Sequence, residues 1–291
     1  MKVAVVINPA ATGVTEHGAD RMRRALHANG LHGADIVTLG AGEIEGQMRE
    51  VVEHAPDLFI VWGGDGTHRS ALSAVGLRAS NLLLLPGGTM NLLSKSLHGH
   101  KPWQQILRTV VFASTTHVMP AGKINNDVFY CAMLAGAPVR FAEARESIRH
   151  GNIGKSLGQL SAGLGELESV HLSARFTERY NFRDERLPTT SVIGALVGPM
   201  ARNNRMEIFT LAHPSAMSAL SIVWSSLLFS WREAQGVAIV AAETLVIDSE
   251  EGGEIPVIVD GEPIIVGGHA SVTYVPEAAQ CLIARRHADT G

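Results

Sequence analysis

The densest chemistry in this 291-residue chain lies in one short run, Gly63-Gly64-Asp65-Gly66-Thr67. Three glycines so close together permit unusual backbone dihedrals and remove the Cβ atoms that would hold an anion away from the N–H groups. Thr67 is a helix-capping residue type, and a helix N-terminus favours phosphate. Asp65 is the odd member, because a carboxylate aimed at a phosphate repels it. It fits if a divalent metal or a substrate hydroxyl comes between them; the plain alternative is a tight turn in which Asp65 caps the helix. A second run, Pro86-Gly87-Gly88-Thr89-Met90-Asn91, repeats the Gly-Thr pattern. Two such loops on neighbouring strands set two groups of N–H donors side by side, as a triphosphate or a diphosphate with ribose requires. A third loop, Asn8-Pro9-Ala10-Ala11-Thr12-Gly13, is ordinary turn chemistry when taken alone. Late in the chain, Asp260-Gly261-Glu262-Pro263 offers an acid, although VIVDGEPIIV also reads as a hairpin with Asp-Gly at its tip.

These loops need strands and helices to hold them. Up to about residue 115 the chain alternates apolar runs (KVAVVI, ADIVTL, DLFIVW, NLLLLP) with helical patterns over 19–29, 44–54, from Thr67 and from Thr89. Strands apolar throughout and separated by single helices predict a mostly parallel sheet with helices on both faces. We therefore expect an α/β nucleotide-binding domain over residues 1–118. From there the texture changes to short β-type runs bounded by turn pairs such as Asn125-Asn126 and Asp260-Gly261, which predict an antiparallel β-sandwich over 119–277. Helical stretches at 142–168 and 216–233 would interrupt it. The segment 278–291, with its CLIARR run, is expected to return to the first domain as an edge strand.

Composition narrows the function classes. Hydrophobic residues make up 46% and charged residues 18%, which marks a folded globular chain. A formal net charge of -4 provides no basic field for a phosphate polymer, so nucleic acid is excluded as a partner. Cys131 and Cys281 stand far apart with no neighbour at metal-ligand spacing, and the opening apolar run is broken by Asn8-Pro9, unlike a secretory signal; a cytoplasmic setting is expected. The apolar stretch 216–231 is interrupted by serines and falls short of the roughly 20 residues that span a bilayer. It reads as a core-facing helix, with a lipid-pocket lining or membrane-surface contact as the other reading. Gly154-Lys155-Ser156 lacks the glycine a phosphate-binding Walker loop needs, because Arg149 holds that position. His98 and His100 have no third ligand at metal spacing and are expected to face solvent.

Taken together, Asn8-Pro9 to Gly13, GGDGT, PGGTMN and the late DGE resemble the diacylglycerol kinase catalytic domain superfamily, most closely its soluble bacterial lipid kinases, relatives of sphingosine and ceramide kinases. The resemblance implies ATP and Mg²⁺ between the two domains and transfer of the γ-phosphate to a hydroxyl of diacylglycerol or a related lipid. It implies nucleotide contacts from Asn8, Gly63, Gly64, Asp65, Gly66, Thr67, Gly88, Thr89 and Asn91, and more loosely from Thr38. It assigns Glu262 as general base and Asp65 as the essential carboxylate, and it leaves the metal ligands open. The implied partners are a nucleotide and a lipid substrate at a membrane surface, with peripheral association on the inner face and a homodimer as an option. The chain departs from the family pattern at His68, Arg69 and Ser70 after the first loop, and at Leu92-Leu93-Ser94-Lys95 after the second. Arg69 and Lys95 could contact phosphate there. Two further readings stay open: an NAD kinase-like phosphotransferase, which shares GGDGT, and a catalytically impaired nucleotide- or lipid-binding regulator.

Overall fold

The computed structural model describes residues 1–40, 44–78, 81–136, 171–178, 181–190, 192–201, 205–211 and 237–285. The stretches 142–168 and 216–233, together with Gly154-Lys155-Ser156, lie outside the described residues. The chain divides into two compact units, one of Met1–Met119 with Glu277–Gly291 and one of Pro120–Pro276.

In the first unit, β1 (Val3–Ile7), β2 (Asp35–Thr38), β3 (Leu58–Gly63) and β4 (Leu82–Pro86) form an all-parallel sheet in the order β2-β1-β3-β4. The interior strands β1 and β3 are buried at every position, as apolar runs covered on both faces must be, whereas the edge strand β2 is half exposed. Helices α1 (Gly18–Ala28) and α5 (Trp103–Phe112) pack on the face carrying Val3, Val5, Ile7, Ile60, Trp62, Leu83 and Leu85. The alternate residues Val6, Phe59, Val61, Leu82 and Leu84 are equally buried, and α3 (Asp65–Val75) and α4 (Leu92–His98) pack against β3 and β4. Helix α2 (Ile44–Glu53) lies against α3. The reading of the sequence passed over α5; its N-cap Pro102 is extended, and its apolar positions Trp103, Ile106, Leu107 and Val110 follow helical spacing.

Two six-stranded sheets follow. One runs β12 (Val237–Ala242), β11 (Met206–Leu211), β10 (Val192–Leu196), β7 (Ala132–Ala135), β14 (Ile255–Val259), β15 (Glu262–Val266). The other runs β6 (Asp127–Phe129), β5 (Ser114–Ile124), β16 (His269–Ala284), β13 (Thr244–Ser249), β8 (Leu172–Glu178), β9 (Asn181–Thr190). Residues of both sheets share one core built on Phe129, Met133, Ile193, Ile208, Leu245, Ile247, Val257 and Val272. A parallel-sheet α/β unit followed by antiparallel β-sheets is the fold class the sequence predicted. Strand β9 escaped that reading because NFRDERLPTT is highly charged and holds a proline; it is an edge strand with register irregularities, where both are tolerated. The CLIARR run is not an edge strand of the parallel sheet. Its residues up to Ala284 end the 16-residue β16, whose Leu282 and Ala284 pack on the first core. Among the described residues no helix is long and apolar enough to cross a membrane.

Candidate active site

In a parallel sheet all strands finish at one rim, and the three loops flagged in the sequence leave that rim side by side. Ile7 pairs with Trp62 and Gly63 with Pro86, so Asn8, Gly64 and Gly87 each follow the end of a neighbouring strand. The chain leaves β1 for β2 on one side and later returns to β3 on the other. That strand-order reversal is where open α/β sheets bind ligands. Thr38 ends β2 opposite Ile7 and is exposed.

The loops lock one another in place. Gly13 N–H donates to Gly87 O at 2.7 Å and Gly87 N–H to Gly63 O at 2.8 Å. Asn8 Nδ2 donates to Thr67 Oγ1 at 2.8 Å while Asn8 Oδ1 accepts Ala10 N–H at 2.9 Å, and the Thr12 and Thr89 hydroxyls lie 3.0 Å apart. Asn91, at φ 53°, turns its amide back into its own loop, Oδ1 accepting Gly87 and Gly88 N–H at 3.1 and 2.7 Å. Trp62 Nε1 holds Pro86 O at 3.0 Å from beneath. The glycines are needed first for this interlocking: a Cβ on Gly63 would lie 2.7 Å from Thr67 Cβ, and one on Gly88 2.7 Å from Gly64 Cα. The side chains of Asn8 and Asn91 therefore already serve the loops, as does the Thr67 hydroxyl.

The first turn of α3 is different. Its N-cap is Gly64, extended and without a side-chain cap, so the N–H groups of Asp65, Gly66 and Thr67 lack the intrahelical acceptors that later residues have. Asp65 is 6% exposed, and its Oδ1 accepts Leu93 N–H, near the start of α4, at 3.0 Å. The carboxylate thus caps a helix, but a neighbouring one rather than its own. Through that bond it ties the first glycine loop to the element that follows the second.

Beneath the rim lie two histidines that the sequence did not mark as interior. His68 is fully buried, with Nε2 3.0 Å from Leu85 O and Nδ1 without a hydrogen-bond partner. A carbonyl only accepts, so Nε2 carries the proton in that contact. Burial holds the His68 pKa below its ordinary value, while the Asp65 charge works against that. His98 is buried as well, against the expectation that it faces solvent; burial, then the charges of His68 and Lys101, lower its pKa to about 4. His100 is exposed as expected. Helix α4 turns its last-turn histidine inward with Leu92, Leu93 and Ser94, a choice set by packing against β4.

Glu262 belongs to the second unit. It opens β15, pairs with Val259 across the Asp260-Gly261 turn, and is half-buried. Asp260, which the sequence treated as the tip of a hairpin, is 2% exposed and accepts three backbone N–H groups. Among the described residues no three His, Cys, Asp or Glu side chains group as metal ligands.

Fold and rim together define a class: a two-unit protein with glycine loops at the switch point of a parallel α/β sheet, followed by antiparallel β-sheets. Residues 2–124 match the family model of the diacylglycerol kinase catalytic domain, so the resemblance carried by the three loops is borne out over that span. Solved structures from Bacillus anthracis str. Sterne share the architecture along the chain. One, described as a diacylglycerol kinase, aligns with TM-score 0.67 at 16% identity, covering 98% of this chain and 97% of its own. Another, provisionally assigned as a diacylglycerol kinase, aligns with TM-score 0.71 at 18% identity, covering 98% and 95%. At such identities the likeness establishes the fold.

Proposed function

We propose that this protein is an ATP-dependent lipid kinase that transfers the γ-phosphoryl group to a hydroxyl of diacylglycerol or a related lipid presented at a membrane surface. The observation that carries the reading is the uncapped first turn of α3 at the sheet's switch point, inside the span matched by the diacylglycerol kinase catalytic domain model. Phosphoryl transfer needs positioning and charge neutralisation more than covalent help from the protein. The amides of Asp65, Gly66 and Thr67 suit the phosphate chain, and Thr38, Gly88 and Thr89 are the neighbouring rim contacts. Asp65 also fits Mg²⁺, which takes one or two carboxylates and completes its shell with phosphate oxygens and water, so no acidic cluster is required. The metal would neutralise charge on the phosphates. Glu262 is the proton acceptor: the lipid oxygen bonds to the γ-phosphorus, the bond to the β–γ bridging oxygen breaks, the hydroxyl proton passes to the Glu262 carboxylate and ADP leaves.

One observation favours a second reading, a nucleotide- or lipid-binding regulator without turnover. The Asp65 carboxylate already holds the start of α4, and where the family usually continues after the first loop with an apolar residue, Asn and Glu, this chain has His68, Arg69 and Ser70. Mass spectrometry of a bacterial lipid extract incubated with the protein, ATP and Mg²⁺ separates the two. A phosphorylated lipid with matching ADP release is expected. Nucleotide binding with no new phospholipid across the extract sinks the kinase.

A further inference from the structure

We propose that Asp260 is a positioning residue for phosphoryl transfer, acting through Glu262; this rests on the reading of Glu262 as proton acceptor. A two-residue hairpin tip ordinarily faces solvent, and Asp-Gly is chosen there only because both residues tolerate positive φ. The tip between β14 and β15 has that turn, with φ 47° at Asp260 and 85° at Gly261. Its aspartate is nevertheless buried. Oδ2 accepts Tyr130 N–H at 2.7 Å, and Oδ1 accepts Cys131 and Ala132 N–H, both at 2.9 Å. The Asp260 N–H donates to Ala132 O at 2.9 Å, so backbone and side chain grip the same segment.

That segment, the link between β6 and β7 with the first residue of β7, is itself fixed. Cys131 O accepts Val197 N–H at 2.9 Å, and Gly198 approaches so closely that a Cβ there would lie 2.9 Å from Tyr130 O. The ladder between β14 and β7 ends at Val259 with Met133, and the Asp260 carboxylate extends the attachment past the last paired residue. On the other side of the turn, Glu262 opens β15, the last strand of its sheet among the described residues. The β14 pairing and the clamp at the tip thus both bear on where Glu262 is held within its unit. A carboxylate with three N–H donors is a stiffer clamp than turn geometry requires, and a stiff mount is what a proton acceptor needs, since a displacement of about 1 Å can cost about 100-fold in rate.

The experiment compares the unaltered protein with D260N, E262Q, the double variant and G261A, measuring phosphoryl transfer from ATP with Mg²⁺ to a bacterial lipid extract, with thermal melting as the folding control. Asparagine suits positive φ as well as aspartate does, so D260N keeps the turn but sets an NH₂ group against a backbone N–H. D260N is expected to lower kcat about 100-fold with the nucleotide KM within about twofold, and the double variant to fall no further than E262Q. G261A, which strains the turn without touching the carboxylate, is expected to give the same split and carries the test if D260N does not fold. Unchanged kcat in both D260N and G261A beside an inactive E262Q overturns the positioning role alone, as do losses that multiply in the double variant. Full activity of E262Q, or no transfer by the unaltered protein, removes the underlying reading and the proposal with it.

Discussion

Asn91 shows how much a single side chain does at the rim. It holds a left-handed backbone and returns its carbonyl oxygen to two amides of its own loop. Asn91→Ala is expected to cost ~1–3 kcal/mol, seen as a lowered melting temperature, and Asn91→Gly less, because glycine relieves the φ penalty though not the lost acceptor. His98 supplies a pH signature. Its folded pKa of about 4 lies below the ordinary 6.5, so between those values the unfolded chain binds the extra proton. Its contribution to stability is therefore full above about pH 6.5, is lost as pH falls, and is exhausted below about 4; His68 is shifted in the same direction. Urea midpoints measured from pH 7 to 4 should fall less steeply for His98→Gln than for the unaltered protein. Neither role was legible beforehand. The resemblance offered Asn91 as a nucleotide contact and said nothing of its bonds within its own loop, and histidine burial depends on which face of α4 meets β4.

The unit that matters at the next scale is the pair α3 and α4, joined through Asp65 and Leu93. A carboxamide oxygen can still accept that N–H, only more weakly than the charged carboxylate, so Asp65 offers a way to separate support from chemistry. Asp65→Asn should fold with nearly unchanged stability yet lose at least about 100-fold in turnover, if its charge serves the phosphates. Asp65→Ala should lose turnover and also ~0.5–2 kcal/mol of stability, as the start of α4 is uncapped. Parallel kinetics and melting curves for the two variants check this, and full turnover in Asp65→Asn would leave the residue a purely structural cap. The elements themselves were largely visible in the chain: four apolar runs, each closed by Gly, Pro or Asn, are a strong strand pattern. The charged edge strand β9 was not, since an edge position relaxes the demand for apolar residues.

For the whole molecule, each unit has its own core, with Met22 fully buried in the first and Ile208 in the second. Met22→Ala and Ile208→Ala should each cost ~2–5 kcal/mol, read from urea unfolding of the full chain, because neither site can collapse around the lost volume without moving a helix or strand. What the amino-acid order determined alone was local: strand and helix periodicity and the dihedral freedom of the glycine runs. Those depend on neighbours a few residues apart. The strand order that brings Asn8, Gly64 and Gly87 to one rim, the bond from Asp65 to Leu93, the burial of His68 and His98, and the clamp made by Asp260 were decided only by tertiary structure. Each depends on pairing and desolvation between residues distant in the chain, and a polar atom's partners are known only once packing has removed its water.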